Sequence, residues 1–227
     1  MVLPTLWLLQ KITQANFILL KGPPWIHNRE DFFMAAFVLG NGVSRRPIDV
    51  KYLQTLGPVY GCNALYRTDT PTVLVSTDAP ISQQIQESGY SAKHRFYTRK
   101  PIPGLGAKQI EKKYYGFSSG PIAMAIAVLD FNSPIYLLGF DMGPAESGKF
   151  NNLYANTEFY KKSDAYPTFT GNWARQMASI IAEYNQVQFY RVQGATTAPI
   201  KEFDNLPNLI HLPFNDFVNR INNPKDL

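Results

Sequence analysis

The sequence predicts an α/β fold, with a Rossmann-like, mainly parallel sheet, helices on both faces and a partly flexible lid. Three observations carry this reading. Short apolar runs at residues 33–39, 59–62, 72–76 and 135–138 alternate with helical stretches, the pattern of a doubly wound sheet. Residues 135–138 are apolar on both faces, as in a strand buried inside a parallel sheet. Several of these runs lead directly into turns of Gly, Asn, Ser or Asp, the residues that line ligand crevices at the carboxyl ends of such strands.

The elements are expected in this order. Residues 1–32 form an N-terminal extension, with Gly22, Pro23 and Pro24 marking a connector at 21–31, and residues 33–227 form a single domain. The first strand, 33–39, runs into Gly40-Asn41-Gly42-Val43-Ser44, where glycine lets backbone N–H groups approach a ligand. A short helix over 47–56 places Ile48, Leu53 and Leu56 inward. The strand 59–62 ends in Cys62-Asn63. The strand 72–76 ends before Asp78, which is expected to cap a helix over 79–88. Residues 91–97 read as a fourth strand.

The segment from Gly116 to Met142 reads as loop, helix, turn and strand. Ser118 or Ser119 can cap the helix, Pro121 suits its first turn, and the all-apolar run 122–129 requires burial. Hydroxyls and free N–H groups of Ser118, Ser119 and Gly120 at a helix start make a ready anion site. Asp141 follows the strand 135–138. The long polar segment 143–171 reads as a lid. Residues 172–184 form a helix whose stripe of Trp173, Met177, Ile180, Ile181 and Tyr184 suits core packing. Strands at 187–192 and 209–212 and a helix at 213–221 close the chain.

The totals narrow the classes. Of 227 residues, 22 are basic and 17 acidic, a net charge of +5 that suits an anionic ligand and does not by itself imply a nucleic-acid partner. Residues 93–113 hold seven cations, which read first as a solvated face and second as a phosphate attractor beside the helix-terminal serines. The single cysteine, Cys62, excludes an internal disulfide and a cysteine-based zinc site, so the cytoplasm is the expected compartment. Residues 1–20 are apolar but interrupted by Gln10, Lys11, Thr13, Gln14 and Asn16, and they lack the marks of a signal peptide. They are expected to pack as an amphipathic helix, with peripheral membrane contact as the alternative. Asp78 could hold Mg²⁺ against a diphosphate, but no second acid stands at Asp-x-Asp spacing, so no metal site is expected and capping is the favoured role.

Gly40-Asn41-Gly42-Val43-Ser44 resembles the Gly-Asn-Gly-Pro-Ser motif of the bacterial sialyltransferases of glycosyltransferase family 42, which use a CMP-activated sugar. Cys62-Asn63 is similar to their second asparagine motif. Ser118-Ser119-Gly120 resembles their Thr-Ser-Gly helix start, and Ile135-Tyr136-Leu137-Leu138-Gly139-Phe140-Asp141 resembles their Ile-Tyr-Leu-x-Gly-Ile-Asp strand. The resemblance covers residues 34–142 well and the rest loosely. Flagellin-modifying motility accessory factors, and archaeal proteins that transfer diphosphate to a pterin, share parts of the pattern.

The resemblance implies that Asn41 and Gly42, with Ser44 in the same motif, meet the phosphate or ribose. It implies that Asn63 orients the donor, that Ser119 and Gly120, beside Ser118, hold the nucleotide, and that Asp141 lies near the base or ribose. Lid tyrosines, Tyr166 among Tyr154 and Tyr160, would stabilise the leaving phosphate. The family's lid histidine is missing here. His94 is the best of the three histidines for its role as base, with Asp141 or Asp164 as substitutes. The implied partners are a nucleotide-sugar donor and a glycan or small-molecule acceptor, with no separate cofactor. Diphosphate transfer from ATP with Mg²⁺, and a nucleotide-binding module without catalysis, are the alternatives.

Overall fold

The described residues fold around eight parallel strands. The computed structural model describes residues 34–223, 225 and 227. The expectations for residues 1–32, including the connector and the membrane contact, fall outside these. In chain order the strands are β1 (Ala36–Leu39), β2 (Val59–Cys62), β3 (Val73–Ser76), β4 (Phe96–Thr98), β5 (Lys108–Gln109), β6 (Ile135–Leu138), β7 (Phe189–Gln193) and β8 (Leu209–Pro213). The helices are α1 (Val50–Leu56), α2 (Ala79–Glu87), α3 (Tyr90–Lys93), α4 (Ser119–Leu129), α5 (Gly171–Glu183) and α6 (Phe214–Asn222).

The strand order is β5-β4-β3-β2-β1-β6-β7-β8, and every pairing is parallel. The chain therefore starts in the middle, runs outward to β5, and returns to β6 on the other side of β1. The gap between β1 and β6 is the point where the winding reverses, the place where open α/β sheets bind ligands.

Alternation within the strands builds two cores. Ala36 and Val38 face the core made with α4 and α5, while Phe37 and Leu39 face the core made with α1, α2 and α6. Burial of both faces explains why β1, β2, β3 and β6 show no polar alternation. Helix α4 packs beneath β1, β2 and β3 and is buried at Ser119 and from Pro121 to Val128, because its sequence offers no polar face.

One reading needs correction. Residues 91–97 are not one strand: Tyr90–Lys93 is a helical turn and the strand is Phe96–Thr98. Alternation over seven residues cannot distinguish one strand from a turn followed by a short strand. The basic run 93–113 also holds β5, a two-residue edge strand with both side chains exposed that the sequence does not signal. An edge strand with one pairing partner needs no apolar signal.

Candidate functional site

A cavity of about 330 Å³ opens at the carboxyl ends of β1, β2, β3 and β6. That lies at the low end of small-molecule sites, about 300–1,000 Å³. Its floor is Gly40, Asn41, Gly42, Cys62, Asn63, Asp78 and Gly139–Gly143, one wall is the start of α4, and its roof comes from the segment between β6 and α5. The turns at Gly40–Gly42, Cys62–Asn63 and Ser118–Gly120 all line this one edge of the sheet.

Each turn is fixed for a physical reason. Gly42 has an ordinary φ of −65°, but a Cβ there would lie 2.5 Å from the Asp141 carboxylate carbon and 2.7 Å from the Gly139 carbonyl. A Cβ on Gly120 would press on the Phe140 ring at 3.0 Å. Both glycines are therefore demanded by the packing of protein against protein, whatever they offer a ligand. Asn63 holds φ +51°, a left-handed conformation that asparagine tolerates better than most side chains. Met142 and Phe159, both lining the cavity, also have positive φ (56° and 68°). Such outliers gather where a site dictates the backbone.

Ser119 lies at the centre of the wall. The Thr77 amide donates to its Oγ (3.0 Å), Thr77 Oγ1 lies 3.1 Å away, and Ser119 Oγ donates to Asn63 Oδ1 (2.9 Å). That fixes the Asn63 amide so that its Nδ2 points at Asp78 Oδ2 (3.4 Å). The Ser119 hydroxyl is thus engaged within the protein. Ser118 occupies the helix N-cap without a side-chain capping bond, so its hydroxyl stays open to the cavity. The Ser119 and Gly120 N–H groups have no acceptor among the described residues, and Pro121 has none to offer, so the positive end of α4 faces the cavity.

Asp141 is 3% exposed. Its carboxylate accepts from the Ser44 N–H (3.1 Å), Ser44 Oγ, Asn151 Nδ2 (3.0 Å) and Thr196 Oγ1 (2.7 Å). Two buried guanidiniums stand nearby. Arg45 donates to the Gly40 carbonyl (2.5 Å) and packs on Gly139. Arg191 is fully buried and donates only to carbonyls: Phe140 (2.9 Å), Asp141 (3.2 Å) and Ala198 (2.9 Å). Burial pushes the Arg191 guanidinium down to about 10, against the pull of Asp141. Two buried cations against one buried carboxylate favour an anionic ligand at this edge.

Segment 143–170 contains no helix or strand, yet it is tied down. Asn151 accepts from the Val43 N–H (2.8 Å) while donating to Asp141. The Leu153 N–H donates to the Asn41 carbonyl (2.8 Å), and the Ala64 N–H donates to Tyr160 Oη (3.3 Å). Arg67 donates to Thr157 Oγ1 (3.1 Å), and Gln84 donates to the Glu158 carboxylate (2.7 Å). Phe150, Asn152, Phe159, Tyr160, Lys161 and Thr168 reach the cavity from this segment.

The predicted residues therefore separate. Asn41, Gly42, Asn63, Ser118, Ser119, Gly120 and Asp141 line the cavity. Ser44 does not; it serves Asp141. His94 lies away from the cavity lining, at the end of α3, its ring 4.6 Å from that of Tyr90. Tyr166 is 84% exposed and outside the lining, with Lys149 over its ring. Asp164 is exposed and outside it as well. The Asp78 carboxylate makes no capping bond to α2, contrary to expectation: Pro80 leaves the second helical position without an N–H, and one carboxylate oxygen receives the Asn63 amide instead.

Sequence reasoning missed Asn151, Thr196, Arg45, Arg191, Lys161 and Trp173. An arginine inside the apolar run of β7 was the one legible signal. Trp173 belongs by spacing to the core-facing stripe of α5, yet it lines the cavity from the first turn of that helix. Among the described residues no three His, Cys, Asp or Glu side chains converge as a metal site, and no helix is long and apolar enough to cross a membrane. No protein-family profile, curated protein or solved structure matches the chain.

Proposed function

We propose that the chain is a glycosyltransferase using a nucleotide-activated sugar, with a CMP-linked donor as the first to test. The observation that carries this reading is the cavity at the winding reversal between β1 and β6, walled by the open N–H groups of α4. The donor phosphate would sit between the Asn41 turn and the start of α4. The Ser118 hydroxyl, the Ser119 and Gly120 N–H groups and the Lys161 ammonium would stabilise it as it leaves. The aromatic roof, with Phe150, Phe159 and Tyr160, would cover the sugar and exclude water. The reaction is a direct displacement. The acceptor oxygen bonds to the anomeric carbon, the bond from that carbon to the phosphate oxygen breaks, and the acceptor proton passes to a base.

A thermal-shift screen with CMP, CDP, UDP, GDP and ATP, each with and without Mg²⁺, tests the reading. At a hundredfold excess over Kd, binding adds about 2.7 kcal/mol, or about 5–10 °C for a chain of this size. CMP stabilisation without metal is the expected result. Stabilisation only by ATP with Mg²⁺ would replace this reading with diphosphate transfer. No shift with any nucleotide would end it.

A further inference from the structure

We propose that Asp78 is the base that takes the acceptor's proton, and that Ser119 and Asn63 are the positioning pair that aims it. The inference rests on the glycosyl-transfer reading above and supplies the group that reading lacks.

Displacement by a hydroxyl needs a proton acceptor within hydrogen-bond reach of the attacking oxygen. The lining residues offer few candidates. Asp141 lines the cavity, but its carboxylate is filled by four donors. The Cys62 thiol is held by burial as an un-ionised group, pushed up to about 12, and its Sγ lies against the Leu39 carbonyl. Burial also pushes the Tyr160 phenol far above its ordinary value. Lys161 is a cation suited to phosphate. Asp78 remains.

Its surroundings fit the role. Asp78 follows β3 at the N-cap of α2, where a carboxylate usually bonds the first helical N–H groups. It makes no such bond. One oxygen, Oδ2, receives the Asn63 amide at a long 3.4 Å, and Oδ1 has no partner among the described residues. The groups beside it are the neutral Asn63 amide and the protonated Cys62 thiol; the open end of α4 lies one residue away through Thr77 and Ser119, and the Lys161 ammonium lines the same cavity.

The direction of the Asn63 amide is set by its neighbours. Because Ser119 Oγ accepts the Thr77 N–H, its own proton goes to Asn63 Oδ1, which leaves Nδ2 for Asp78. The chain Thr77–Ser119–Asn63–Asp78 thus anchors one carboxylate oxygen and leaves the other free. In the step, the acceptor O–H gives its proton to Oδ1 as its oxygen bonds to the anomeric carbon and the nucleotide phosphate departs with the electron pair. Asp78 then returns the proton to water.

The test uses the full chain and measures nucleotide release from CMP-N-acetylneuraminate and from UDP-, GDP- and CDP-hexoses, with water and with free hexoses as acceptors. Thermal shift with the matching nucleotide runs alongside. For the donor the wild type uses, Asp78→Asn is expected to lower kcat by about 10²–10⁴-fold with donor KM and nucleotide affinity kept. Asp78→Ala is expected to regain rate when formate is added. Ser119→Ala is expected to lower kcat less and to show no formate rescue.

If Asp78→Asn turns over like the wild type, Asp78 is not the base while the glycosyl-transfer reading stands. If the variant folds but no longer binds the nucleotide, Asp78 is a nucleotide ligand. If chelator abolishes wild-type turnover and Mg²⁺ restores it, with Asp78→Asn losing Mg²⁺ affinity, Asp78 is a metal ligand; either result overturns the proposal. If the wild type releases nucleotide from no donor, the glycosyl-transfer reading itself fails and takes this inference with it.

Discussion

Two aspartates stand just past strand ends on the same rim of the sheet, and they live in opposite surroundings. Asp141 follows β6, is 3% exposed and takes four hydrogen bonds from three elements. Asp78 follows β3, is exposed and takes one long bond. A carboxylate that is fully bonded and buried organises the backbone around it. A carboxylate with an open oxygen at a cavity can accept a proton or bind a ligand. Topological position alone does not decide between these roles; the number of donors does.

The largest predicted effect sharpens that contrast. Asp141→Ala strands the Ser44 N–H, Asn151 and Thr196, and it removes the countercharge of Arg191. Breaking a buried charged group of this kind costs about 3–5 kcal/mol, and urea denaturation should read that loss directly. Asp78→Ala should change stability by no more than about 0.5 kcal/mol, as expected for an exposed side chain whose one bond, from the Asn63 amide, is long. Equal losses for the two variants would erase the distinction.

A second prediction concerns Gly42. Its Cβ would collide with the Asp141 carboxylate and the Gly139 carbonyl, so Gly42→Ala should cost about 1–3 kcal/mol by overpacking. A variant as stable as wild type that fails only in nucleotide binding would restore the ligand-approach reading of this glycine.

How much of this could be read in the sequence follows from what each feature depends on. The sheet was legible because buried parallel strands are apolar on both faces, as in Ile135-Tyr136-Leu137-Leu138. The rim was legible because Gly, Asn and Ser follow those runs. The partners of each rim residue were not. Thr196 reaches Asp141 across 55 positions and Ser119 reaches Asn63 across 56. No local pattern encodes a contact at that separation. His94 and Tyr166 have chemistry that suits a base and a lid residue, yet neither lines the cavity.

The third prediction separates neighbouring serines. Ser119→Ala removes bonds to Thr77 and Asn63, so it should lower stability by about 0.5–1.5 kcal/mol. Ser118→Ala removes a hydroxyl with no partner among the described residues. Its melting temperature should stay at the wild-type value, with any loss confined to nucleotide affinity. The reverse pattern would mean that the α4 start is organised around Ser118.

The smallest effect is expected where the roof meets the body of the domain. Arg67 donates to Thr157 Oγ1 and to the Glu158 carbonyl, and Gln84 donates to the Glu158 side chain. These bonds are exposed, so each contributes little to global stability, and Arg67→Ala should shift the denaturation midpoint only slightly, within about 1 kcal/mol. Local opening is a different quantity. A segment without helix or strand opens at a cost set by its own few ties, which can be far below the global unfolding free energy. Arg67→Ala should therefore speed limited proteolysis within residues 143–170 several-fold while the melting temperature barely moves. A saturating nucleotide should slow cleavage in the wild type by adding contacts to the cavity side of the same segment. Cleavage that ignores both the substitution and the nucleotide would show that Asn151 and Leu153, bonded to Asp141 and Asn41, hold the roof closed without help from Arg67.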